Sequence, residues 1–94
     1  MRINWTVGAS QNLQQIADYI AQDKPDAAVN TVLSIVEVVE LLVQNPALGR
    51  AGRVVGTREL IISNVPYIVP YRIKNDCIEI LRVLHSSMQW PKKF

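Results

Sequence analysis

Hydrophobic spacing changes several times along this chain. In RINWT, Arg2 to Thr6, Ile3 and Trp5 alternate with polar residues, the period of an extended strand. From Val7 to Gln22 the period becomes helical: Ala9, Leu13, Ile16, Ala17 and Ile20 share one face, Thr6 or Ser10 is available as N-cap, and Lys24-Pro25 ends the run. Pro25 suits the first turn of a second helix and Asp26 the positive end of its dipole, so the two helices meet at a tight corner. The second helix is predicted to reach about Gln44, where Asn45-Pro46 stops it, with Val29, Val32, Leu33, Val36, Val39, Leu42 and Val43 as its apolar surface. Its valines disfavour an isolated helix, so tertiary packing must supply the difference.

NPALGRAGRVVG, Asn45 to Gly56, has no clear period and reads as a loop with room for a short extended piece. Three β-rich runs follow, TRELIIS, VPYIVPYRI and CIEILRVLH, separated by Asn64-Val65 and Lys74-Asn75-Asp76; they predict a three-stranded antiparallel meander. A turn at Asn75-Asp76 pairs Ile73 with Ile78 and Arg72 with Glu79, and carries Val69 opposite Arg82. A turn around Asn64 to Pro66 sets Arg58 beside Arg72, giving a row of Arg58, Arg72 and Glu79 across three strands. Pro70 interrupts the ladder and marks either a sheet edge or a bulge that would shift this register by one.

The expected class is therefore α+β: an N-terminal strand and a hairpin of two antiparallel helices packed on a small antiparallel sheet, one domain over residues 1–94. At 94 residues with 49 % hydrophobic content there is material for a core, yet a chain this short buries only about 60–65 % of its unfolded surface. The net charge of +2 is too mild to announce a nucleic-acid binder by itself. A single cysteine, Cys77, excludes an internal disulfide and fits a reducing cytoplasm. The start has no continuous apolar segment of the signal-peptide kind, and VLSIVEVVELLV is broken by Ser34, Glu37 and Glu40; a soluble, cytoplasmic protein without membrane contact is expected. One histidine, one cysteine and no acidic cluster at ligand spacing leave no metal site, and no cofactor is implied.

Five of the six arginines, Arg50, Arg53, Arg58, Arg72 and Arg82, lie in the second half. Guanidinium groups on a sheet and its adjoining loop can grip phosphates or the carboxylates of an acidic peptide, or simply pair locally, as Arg72 would with Glu79. GRAGR, Gly49 to Arg53, lacks the Lys-Ser/Thr of a Walker loop and precedes a strand, so nucleotide binding there is rejected. Glu59 has two open roles, base or salt-bridge partner. His85 lies three residues beyond Arg82, which in a regular strand puts the two on opposite faces; acid–base work and a strand-end structural role are both open to it. Trp90-Pro91 and Phe94 give the tail apolar character that either folds back on the helices or meets a partner.

Taken in order, Trp5 in a strand, L-x-x-I-A-D-Y-I from Leu13 to Ile20, a long helix after Pro25, then N-P-A-L-G-R, G-T-R-E-L, Y-I-V-P-Y-R and I-E-I-L-R-V-L-H ending in Q-W-P resemble the RelE/ParE family of bacterial type II toxins. The resemblance covers nearly the whole chain. G-T-R-E-L (Gly56 to Leu60) together with R-V-L-H (Arg82 to His85) brings it nearest the ParE branch.

The resemblance implies the fold above and a toxin of a plasmid or chromosome addiction module. Its cognate antitoxin would wrap it with a flexible C-terminal segment and carry any DNA contact through its own domain. ParE-like members inhibit DNA gyrase, trapping it during DNA cleavage; RelE-like members cut messenger RNA on the ribosome with lysines, arginines and a terminal acid–base residue such as tyrosine. Here the loop has Arg50 and Arg53 but no lysine, and no tyrosine follows Arg82, which favours the gyrase inhibitor, a binder and not an enzyme. As an endoribonuclease the chain would have to use Arg58, Arg72, Arg82 and His85. As a binder its first candidates for partner contact are Arg50, Arg53, Arg58, Arg82, His85 and Trp90. A toxin whose toxicity has decayed to an antitoxin-binding scaffold is a third possibility that the resemblance leaves open.

Overall fold

The computed structural model describes all residues 1–94. Strand β1 (Arg2–Trp5) leads directly into helix α1 (Val7–Ala21). Thr6 is the N-cap: its Oγ1 accepts from the Ala9 N–H and donates to the Ile80 carbonyl at 2.7 Å, so one side chain both starts the helix and ties it to the sheet. Helix α2 (Pro25–Glu40) begins with Pro25 in its first turn and runs on into one 3₁₀ turn, Leu41–Val43. Then come β2 (Arg50–Ala51), β3 (Arg58–Ile61), β4 (Tyr67–Lys74), β5 (Cys77–Ile80) and β6 (Leu84–His85).

The sheet runs β1-β5-β4-β3-β2, with β6 also on β4. The meander is antiparallel as expected, but β1 joins β5 in parallel, so the sheet is mixed. The two-helix crossover between β1 and the meander returns the chain to the same end of the sheet and permits this. Asn75 and Asp76 both take positive φ, 54° and 57°, the conformation of a two-residue hairpin turn whose twist suits the strands, and the predicted pairs Arg72–Glu79 and Ile73–Ile78 are observed.

Two register expectations fail. Arg58 lies opposite Tyr71, not Arg72, because the connection from β3 to β4 takes in Ser63. The Tyr67 N–H turns back to the Val65 carbonyl around Pro66, so the closing bond runs from the Ile62 N–H to the Tyr67 carbonyl. CIEILRVLH is not one strand either. Tyr71 faces Ile80 and Ile68 faces Leu84, so Leu81, Arg82 and Val83 oppose only Val69 and Pro70. This is the bulge anticipated at Pro70, which has no N–H to donate; its carbonyl accepts from Leu81 instead, and Val69 does not pair with Arg82.

One core of eleven buried residues lies between the helices and one face of the sheet. The strands contribute Leu60, Val69, Tyr71, Ile78 and Ile80, which alternate with outward residues, and Ile62 just past β3 continues the same face. From α2 and its 3₁₀ turn the buried stripe is Ala28, Thr31, Ile35, Val39 and Leu42, at spacings of three and four. The predicted apolar surface was too wide: Val29 and Leu33 are at least half exposed, while Ala28, Thr31 and Ile35 were overlooked as core.

A basic sheet layer and its tail as candidate functional site

Alternation along the strands decides what each charged residue can reach. Glu59 and Arg72 project from the face of the sheet turned away from the helices; Arg58, opposite Tyr71, belongs to the helix-facing side. The row of Arg58, Arg72 and Glu79 therefore does not form. Arg58 Nη1 donates to the Gly49 carbonyl at 2.7 Å. Its neighbour Tyr71, fully buried, donates to the Pro46 carbonyl at 2.7 Å and accepts from the Gly49 N–H at 2.9 Å. Two paired strand residues thus pin the loop that follows α2. Gly49 is required there, since a Cβ would stand 2.6 Å from the Tyr71 ring.

On the outer face Glu59 is 2 % exposed and holds two arginines from the β2 region. Oε1 accepts from Arg50 Nε and Nη2 at 3.1 and 2.9 Å and from Arg53 Nη2 at 3.2 Å; Oε2 accepts from the Arg53 backbone N–H and Nε at 2.8 and 3.0 Å. Burial alone would raise this carboxyl, but the bonds from Arg53 and then Arg50 outweigh it and hold the group below its ordinary value. Glu59 is a salt-bridge partner and is not free to act as a base.

The tail settles on this network. Arg53 stacks over the Trp90 ring, 3.7 Å from Cζ to the centroid, and Phe94 meets Trp90 edge to face. Trp90 therefore folds back on the loop beside the outer sheet face, not on the helices. No backbone hydrogen bond holds residues 89–94, and the buried Trp90 Nε1 has no acceptor in the protein. The fixing is by ring faces.

His85 lies in a different groove, lined also by Ile16, Tyr19, Tyr67 and Met88, and meets Tyr67 edge to face. It pairs with Tyr67 in the ladder and is exposed. Its Nδ1 accepts from the Ser87 N–H at 3.1 Å and lies 2.7 Å from Ser87 Oγ, so the neutral ring carries its proton on Nε2. Arg82 lines another cavity with Arg72 and contacts the start of α1. The four residues an RNase site would need thus do not gather in one place: Arg72 and Arg82 share a cavity, but Arg58 is on the loop and His85 lies by Tyr67 in another groove. His85→Ala is expected to remove an aromatic pair worth about 1 kcal/mol, read as a small drop in melting temperature. Unchanged melting would show that the ring pair contributes nothing.

The sequence reading gave no role to Tyr71 and left Glu59 open. Nothing in the spacing could show that Arg50 and Arg53 reach Glu59, since that depends on β2 pairing with β3. No helix is long and apolar enough to cross a membrane.

Residues 3–90 match the family described as "ParE toxin of type II toxin-antitoxin system, parDE". Y4kP of Sinorhizobium fredii, which carries the word toxin in its name, is 48 % identical over 91 residues, 97 % of this chain and 94 % of that protein. Toxin RelE2 of Caulobacter vibrioides is 30 % identical over 86 residues, covering 92 % and 96 %. Among solved structures, a chain of the chromosomal ParDE TA system from P. aeruginosa superposes with a TM-score of 0.84 at 34 % identity, covering 90 % of this chain and 95 % of that one.

Proposed function

The chain belongs to the ParE toxin family of type II toxin-antitoxin systems, and from that premise we propose that it blocks replication in the cytoplasm by inhibiting DNA gyrase until a cognate antitoxin wraps and neutralises it. One observation carries the choice of target. No free acid–base pair meets the arginines: Glu59 is held by Arg50 and Arg53, Arg72 is on Glu79, Arg58 on a loop carbonyl, and His85, its Nδ1 on Ser87, lies in a different groove from the cavity that Arg72 and Arg82 share. Cleaving RNA through its 2′-hydroxyl needs a base, an acid and a charge stabiliser around one phosphate. A protein that works by binding needs only a surface, and here that surface is the outer sheet layer with its aromatic tail.

The RelE-like reading, ribosome-dependent cleavage of messenger RNA, draws support from the likeness to Toxin RelE2 and from Arg72 and Arg82 sharing one cavity. Purified, antitoxin-free protein separates the two. Under the proposed reading it abolishes gyrase supercoiling of a relaxed plasmid and accumulates cleaved DNA. Full supercoiling with protein that still arrests growth would overturn it and transfer the activity to ribosome-bound RNA.

A further inference from the structure

Charge is divided between the two layers. From Val7 to Gln44 the helical layer holds five acids against Lys24, a net of −4; the rest of the chain holds nine bases against three acids, a net of +6. Of those nine bases only Arg50, Arg53 and Arg72 are in ion pairs. The mild total of +2 hides a polar molecule.

Two of the six unpaired cations meet beside the start of α1. Arg82 and Lys93, with Arg72 whose own partner is Glu79, line a cavity of about 400 Å³ bounded by Val54–Thr57 and Phe94, and no acid is among its lining residues. Arg82 packs so tightly against α1 that a Cβ on Gly8 would lie 2.0 Å from its Nη1. Its one bond is to the neighbouring Leu81 carbonyl, at 2.7 Å. The first turn of α1 has no acidic residue, so this guanidinium faces the positive end of a helix with Lys93 lining the same cavity. An anion in the cavity would relieve that repulsion.

We propose that this cleft binds a backbone phosphate of DNA directly, without the antitoxin. A carboxylate is planar and one guanidinium fork can satisfy it, whereas a phosphate offers oxygens to several cations arranged around it. The cations also continue. Arg72 and Lys74 share the outer face along β4, and Lys74 lines a second cavity with Arg2, where the one acid, Glu79, is already paired with Arg72. Such a track suits a repeating polyanion more than a single acidic side chain. The inference rests on the proposed target only in choosing DNA over RNA.

The test is fluorescence anisotropy of a labelled DNA duplex with the purified full chain alone, from about 50 to about 200 mM salt. Binding should weaken steeply with salt, and Arg82→Gln and Lys93→Gln should each weaken it several-fold and flatten the salt slope by about one. Arg82→Lys keeps the charge and should restore the slope, which separates loss of charge from loss of fold. Gly8→Ala displaces the guanidinium without removing it and should weaken binding while leaving the slope near wild type. No binding at the lowest salt, a slope indifferent to both glutamine variants, or tighter binding of RNA of the same length would each overturn the proposal. Gyrase inhibition is read in a separate assay, so either idea can fail alone.

Discussion

Tyr71→Phe is expected to lower stability by about 2–3 kcal/mol although the side chain keeps its size. The hydroxyl donates to the Pro46 carbonyl and accepts from the Gly49 N–H, both within a loop closed over a fully buried ring. Removing it leaves a donor and an acceptor without partners, at about 1–3 kcal/mol for each buried group. In a domain with about 5–15 kcal/mol in total that is a large share, equivalent to a melting temperature lower by roughly 10–15 °C. Burial raises this phenol above its ordinary value, against smaller lowering effects of the Gly49 N–H and Arg58. The unfolded chain therefore ionises first. Tyr71 contributes stability below the ordinary phenol range and loses it as pH rises towards the folded value, so wild-type protein should weaken in alkali. The Phe variant should lose part of that alkaline dependence. Tyr67, raised by its own burial and then by Tyr19, contributes in the same direction. Equal melting of the two proteins at neutral pH would show that the loop is held by other means.

Glu59→Gln acts at the opposite end of the pH scale. Five hydrogen bonds converge on that carboxylate. Breaking a buried pair typically costs about 3–5 kcal/mol, and about 2 kcal/mol is expected here because both arginines remain roughly half exposed. The folded carboxyl titrates below its ordinary value of 4.5. Its contribution is therefore complete above that value and disappears as pH falls through the folded one. Wild-type melting temperature should drop on acidification below about pH 5, and the Gln variant should show a flatter acid limb. Losing Glu59 also frees Arg53 from the Trp90 ring, so tryptophan emission should shift to the red at neutral pH in Glu59→Gln. An unshifted spectrum would mean that the tail stays in place without the ion pair.

What the sequence disclosed was local. The helix cap at Thr6, one of two candidates with Ser10, Pro25 at the second helix start and the Asn75-Asp76 turn are decided by neighbouring residues, and each appears where the chemistry puts it. The misses are decided at a distance. Whether Ser63 joins the loop before β4 depends on one backbone bond around Pro66, and that bond moves Arg58 to the other side of the sheet. Which of the valines of α2 face inward depends on the angle at which the helix meets the strands, so Val29 and Leu33 looked like core and are not. The resemblance supplied the family early, on motifs spread over the whole chain. It could not show that Arg50 and Arg53 share Glu59, or that Trp90 rests on Arg53.

The parallel pairing of β1 with β5 also sets the order of assembly. Arg2 to Trp5 find their partners only in Cys77 to Ile80, and Thr6 reaches the Ile80 carbonyl across 74 residues. The helical hairpin can form early from nearby contacts, but closing a loop of this length is entropically expensive and is rewarded only when the meander exists. During synthesis the first strand must wait, an unpaired edge, until most of the chain has been made. A cell producing this protein thus has an interval in which the sheet is still open and its first strand unpaired.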